Sequence, residues 1–156
     1  MLVVLFEIEG QKFGIDSQYI KEVVPYVKST PVLYAPSYII GEIIYQEEAI
    51  PLIDINMLFS GRATEKYYSS RIAILRILND TQSPKIAILA SRMTETINCE
   101  ADEFTKNDLS SPEDSLFDRV ARKDGQRIQI TAVEKLLLKK DYITLLNKIF
   151  ENKPVG

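Results

Sequence analysis

The chain contains no histidine and no tryptophan, and its one cysteine is Cys99. Without histidine, Ser-His-Asp and Cys-His nucleophile arrangements are excluded, and so are zinc sites built on imidazole. A lone thiol makes neither a cysteine-only metal site nor an internal disulfide, which suits a reducing compartment. Long hydrophobic runs are also missing. The apolar opening, residues 1–6, has no basic stretch ahead of it and is broken by Glu7 and Glu9, too short for a signal peptide or a membrane span. Cytoplasmic placement without membrane insertion is therefore expected. Excess charge is absent as well: 19 basic against 22 acidic side chains leave a net charge of −3. That argues against a general nucleic-acid binder, whose surface must neutralise phosphates.

What is present suits one globular domain. The 156 residues are 46% apolar and 26% charged, enough for a sizeable core. Residues 3–8 and 12–15 are β-branched and aromatic around Glu9-Gly10-Gln11, a hairpin pattern. Asp16-Ser17 can cap a short helix over 18–24, closed by Pro25. Pro25, Pro31 and Pro36 make the next stretch irregular. Residues 39–45 and 49–53 read as a second hairpin, with Asp54 capping a short helix over 55–59. Residues 71–78 and 85–90 read as a third strand pair, followed by a helix-like segment over 91–97. Residues 116–122 and 126–130 flank the turn Asp124-Gly125. Thr131 and Glu134 have capping-box spacing ahead of a helix over 132–138. Apolar periodicity predicts a C-terminal helix at about 139–152.

The grammar repeats. At a spacing of 73, Phe13, Ile15, Ile20 and Val24 fall on Ile86, Ile88, Met93 and Ile97. At a spacing of 77, Ile53 and Asp54 fall on Ile130 and Thr131. A two-fold duplication of a small β unit explains both, and short strands with tight turns point to small closed barrels. Charge is segregated as well. Residues 100–118 carry seven acidic and one basic side chain, an exposed loop pattern, whereas residues 119–148 carry eight basic and three acidic.

Ala35-Pro36-Ser37-Tyr38-Ile39-Ile40-Gly41, followed by Ala49-Ile50-Pro51-Leu52-Ile53-Asp54-Ile55, resembles the signature of the CheW-like family. Phe13-Gly14-Ile15-Asp16, Glu22-Val23-Val24-Pro25 and the segment 130–137 stand in the family's order. The resemblance implies a mainly β fold of two intertwined five-stranded SH3-like barrels with short helices. It also implies an adaptor without catalytic activity or cofactor, joining chemoreceptors to a histidine kinase of the CheA type or to other CheW-like proteins. Such an adaptor is recruited to membrane-associated receptor arrays. A hydrophobic groove between the barrels and the barrel ends would receive the partners.

The partner-binding candidates are Ile39, Ile40, Gly41, Ile43, Tyr45, Gln46, Glu47 and Glu48; Pro36, Gly41, Pro51 and Asp54 are the structural signature. One alternating set of the four isoleucines at 39, 40, 43 and 44 is expected inward and the other outward. Family members carry Asn-Leu-Arg-Gly in this hairpin, where this chain has Ile44-Tyr45-Gln46-Glu47. A planar cationic fork is thus replaced by neutral and negative groups. Loss of the glycine removes easy access to positive φ, so an altered turn is expected. Thr131-Ala132 replaces an aliphatic-Asp pair, with Thr131 still able to cap. The rival reading is a β-barrel module for RNA or single-stranded DNA. It rests on Arg119, Arg122, Lys123 and Arg127 and lacks aromatic stacking platforms.

Overall fold

The computed structural model describes residues 1–33, 35–65, 69–76, 78, 85–106 and 116–137. The expected C-terminal helix at 139–152, the turn at 79–84 and residues 107–115 of the acidic stretch lie outside them.

Strands β1 (Leu2–Ile8) and β2 (Gln11–Asp16) form the first hairpin. The Asp16 carboxylate accepts from the Gln18 amide at 3.0 Å, as the cap reading requires. It caps only the single 3-10 turn Ser17–Tyr19, because β3 (Ile20–Pro25) follows at once. The helix expected over 18–24 is therefore a strand. Next come β4 (Ile39–Tyr45) and β5 (Glu48–Asp54), then helix α1 (Ile55–Ser60) and β6 (Arg71–Leu75). The segments read as a strand over 85–90 and a helix over 91–97 are one 13-residue strand, β7 (Ile86–Asn98). A turn at Ala101–Glu103 and the short β8 (Phe104–Lys106) interrupt the acidic stretch. The hairpin β9 (Phe117–Lys123) and β10 (Gln126–Thr131) then leads into helix α2 (Val133–Leu137).

Both segments misread as helices are swapped strands. One sheet orders the C-terminal half of β7 beside β1, β2, β10, β9 and β8. The other orders β3, β6, the N-terminal half of β7, β5 and β4. The strand after hairpin β1–β2 thus crosses to pair with β6, and the strand after β6–β7 crosses to pair with β1. Parallel pairings close the exchange, β10 on β2 and β5 on β7. The duplicated grammar is a duplicated architecture, with the first barrel gaining a sixth short strand, β8.

Three apolar clusters result. Ile43, Ile50, Leu52, Ile72, Ile74 and Leu89 fill one barrel, while Val3, Leu5, Cys99, Ala121, Ile128 and Ile130 fill the other. Between them Phe6, Phe13, Ile53, Ile88 and Phe117 form the largest cluster, with Phe13 and Phe117 ring centroids 4.9 Å apart. Strands β6 and β7 pass between two cores, so Ile72 and Ile74 serve one and Ala73 and Leu75 the other. This is why their sequences are continuous apolar runs instead of alternating ones.

Candidate protein-docking surface

Strand β4 alternates as its side-chain period of two demands. Ile39 and Ile43 are each 5% exposed, Ile40 is half-buried and Ile44 is 71% exposed. Ile39 and Ile43 therefore belong to the cores; Ile44 faces outward, and Ile40 is half-buried against a core. Gly41 is also buried. It lets the proline-rich segment lie on β4, where the Thr30 and Glu42 amides each donate to the other residue's carbonyl at 2.8 Å. A β-carbon at Gly41 would stand 2.7 Å from Ser29 Oγ, so no other residue fits.

The tip of the β4–β5 hairpin is tied to β3. Tyr45 donates its hydroxyl hydrogen bond to Glu22 Oε2. Lys21 Nζ donates to Gln46 Oε1 at 3.0 Å and lies 5.5 Å from the Tyr45 ring centre. Glu48 pairs with Lys85 at 3.2 Å. The hydrogen bond to Glu22, then burial, raises the Tyr45 phenol above its ordinary value. Gln46 and Glu47 take φ of 48° and 68°. Positive φ at both central residues is what a two-residue hairpin requires, so the turn persists without its glycine, contrary to expectation. Glu47 is exposed and makes no ion pair among the described residues. Lys21 and Glu22 were not singled out from the sequence as site residues; the signal available was the family step Glu22-Val23-Val24-Pro25. Val23, the next residue of β3, is 38% exposed and Val27 is 47% exposed.

The signature residues hold this face in place. Asp54 is 2% exposed and accepts from the amides of Asn56, Met57 and Thr64 at 3.1, 3.2 and 2.8 Å, and from the Thr64 hydroxyl. It caps α1 and also fastens the segment after it. Its own amide donates to the Tyr38 carbonyl at 2.8 Å, and Ile39 donates to the Pro36 carbonyl at 3.0 Å. Pro51 sits where β5 has a neighbour only on the β4 side, since the pairing with β7 begins at Leu52.

A cleft of about 370 Å³ opens where β7 passes between the sheets, lined by Glu7, Glu9, Asn56, Arg62, Glu65 and Arg92. Its charges pair within the fold, Arg92 with Glu7 at 3.3 Å and Arg62 with Glu9 at 3.6 Å. Two members of the basic cluster read from sequence are engaged within the fold. Arg119 packs over the Phe104 ring at 5.2 Å, and Lys123 pairs with Glu103 at 3.6 Å. Thr131 does not cap α2: it ends β10, and its buried hydroxyl has no hydrogen-bond partner among the described residues. Cys99 is fully buried, and that burial raises its thiol, so it is no nucleophile. Among the described residues no group of three His, Cys, Asp or Glu side chains is placed to hold a metal, and no helix is long and apolar enough to cross a membrane.

The CheW-like domain family matches residues 2–141. The chain belongs to the CheW-like family. The scaffolding protein TtCheW of Thermoanaerobacter tengcongensis has a similar fold. Its TM-score is 0.74 at 23% identity, over 90% of this CheW-like chain and 89% of that one. No curated protein matches the chain.

Proposed function

We propose that this CheW-like chain is a non-catalytic adaptor. It would couple chemoreceptors to a histidine kinase of the CheA type, or serve a related motility system, at receptor arrays in the cytoplasm. The observation that carries the reading is the outward row of β4, where Ile44 is 71% exposed beside the fixed Tyr45. An exposed β-branched residue on a rigid strand is an anchor that costs little ordering entropy on binding. The row ends at Glu47, which makes no ion pair among the described residues. A partner element that suits this face carries an aliphatic side chain with a cation beside it. The usual family hairpin presents a cation here, so the altered hairpin supports a dedicated partner set.

The test is a pull-down and titration against the receptors and kinase encoded by the same organism. Binding is expected, and Ile44→Glu is expected to weaken it about tenfold, or 1.4 kcal/mol. Binding to neither class overturns the proposal. A Gln46→Arg, Glu47→Gly double variant is expected to gain affinity for a conventional kinase of the family. If it gains none, the hairpin does not set partner choice.

A further inference from the structure

Two arginines face each other across the β9–β10 hairpin. Arg122 is the direct cross-strand partner of Arg127, both are exposed, and neither makes an ion pair or a hydrogen bond among the described residues. Directly opposite positions hold their β-carbons about 5 Å apart, and like charges so placed oppose sheet formation. The other basic side chains of the hairpin are already occupied. Lys123 pairs with Glu103 and donates to the Asn98 carbonyl, and Arg119 covers Phe104. Asp124 lies in the turn beside them and pairs with neither arginine.

We propose that Arg122 and Arg127 are a two-pronged receptor for a carboxylate-bearing segment of a protein partner. Guanidinium groups are planar and always charged, and each can grip a carboxylate through two parallel hydrogen bonds. A bound carboxylate lying between the two would also cancel their mutual repulsion. That explains why the pair persists without a counter-ion among the described residues. Nucleic acid is disfavoured as the occupant. Only two cations of the hairpin are free among the described residues, the nearby Phe104 ring is covered by Arg119, and the whole chain carries −3. The β4 face belongs to the other sheet, so the two surfaces can be occupied independently.

The test is fluorescence anisotropy of a labelled Glu-rich peptide titrated with the full chain. A Lys-rich peptide and a labelled single-stranded oligonucleotide serve as comparisons. Salt-sensitive binding of the Glu-rich peptide is expected, about tenfold weaker in Arg122→Thr, Arg127→Thr and their double variant. It should be unchanged in Arg76→Gln, an exposed cation just beyond β6. Each single variant is expected to melt no lower than the parent, because it relieves a repulsion. The proposal is overturned if the parent ignores the Glu-rich peptide, if the variants bind it equally well, or if the oligonucleotide binds more tightly. Lowered melting of both single variants would equally overturn it, since the pair would then be structural.

Discussion

The Tyr45 hydroxyl donates to the Glu22 carboxylate and so joins the end of β4 to β3. The carboxylate holds the phenolic proton, which raises the Tyr45 pKa above its ordinary 10.0. A group whose pKa is higher in the folded state than in the unfolded chain stabilises fully below the unfolded value. That contribution is lost as pH rises through the folded one. The tie is therefore intact at neutral pH and released only in alkali beyond about pH 10. Near-ultraviolet absorbance titration, taken as the difference from Tyr45→Phe, is expected to show a late-titrating phenol. Glu22→Gln should bring that titration down; a Tyr45 that ionises normally beside an intact Glu22 would contradict the tie.

The turn itself stores strain. Glu47 holds φ of 68° with a side chain that resists this region. Left-handed backbone costs a non-glycine residue about 1 kcal/mol or more. Glu47→Gly is expected to stabilise the chain by about 1 kcal/mol, a rise in Tm of about 3 °C for a domain of this size. Thermal denaturation measures it, and a fall in Tm would show that the Glu47 side chain makes up for its backbone.

Asp54 holds more than a helix end. Four donors converge on its carboxylate, and Asp54→Ala would leave those of Thr64 and α1 without an acceptor. A lost cap costs about 1 kcal/mol, and stranded buried donors add about 2 kcal/mol. Urea denaturation is expected to show a loss of about 3 kcal/mol, with Asp54→Asn recovering part of it because one acceptor oxygen remains. A loss below about 1 kcal/mol would reduce Asp54 to an ordinary cap.

The hairpins β1–β2, β4–β5 and β9–β10 were legible in the sequence because each is local. Glu9-Gly10, Gln46-Glu47 and Asp124-Gly125 are turns between strands that pair with each other. The two false helices, over 18–24 and 91–97, failed for one reason. Strands β3 and C-terminal β7 each pair only with a strand from the other half of the chain. With one side unpaired they bury few residues. Ile20 with Val24, and Met93 with Ile97, then mimic a helical period of about four. No local signal marks an exchange of strands; the spacing of 73 residues pointed to the duplication, and only the family resemblance implied that the two barrels are intertwined. At the site, the alternation along β4 was legible, but the candidates taken from it included the buried Ile43 and left out the exposed Ile44. The ties from Lys21 and Glu22 depend on how the barrel closes and were not legible.

Thr131 stands at the repeat position of Asp54, and the difference between them is instructive. The Asp54 carboxylate is saturated with donors, whereas the Thr131 hydroxyl is 4% exposed and has no hydrogen-bond partner among the described residues. Helix α2 begins at Val133, with the Leu136 amide donating to the Ala132 carbonyl at 3.1 Å, so the first turn forms without Thr131. A buried hydroxyl that loses water and gains no partner costs about 1–3 kcal/mol. Valine has nearly the same shape and removes that cost. Thr131→Val is therefore expected to stabilise the chain by about 1 kcal/mol in urea denaturation. Thr131→Ser keeps the stranded hydroxyl and loses a buried methyl, so it should destabilise by about 1 kcal/mol. If valine destabilises as serine does, the hydroxyl has a partner in solution and Thr131 is the equivalent of Asp54 after all.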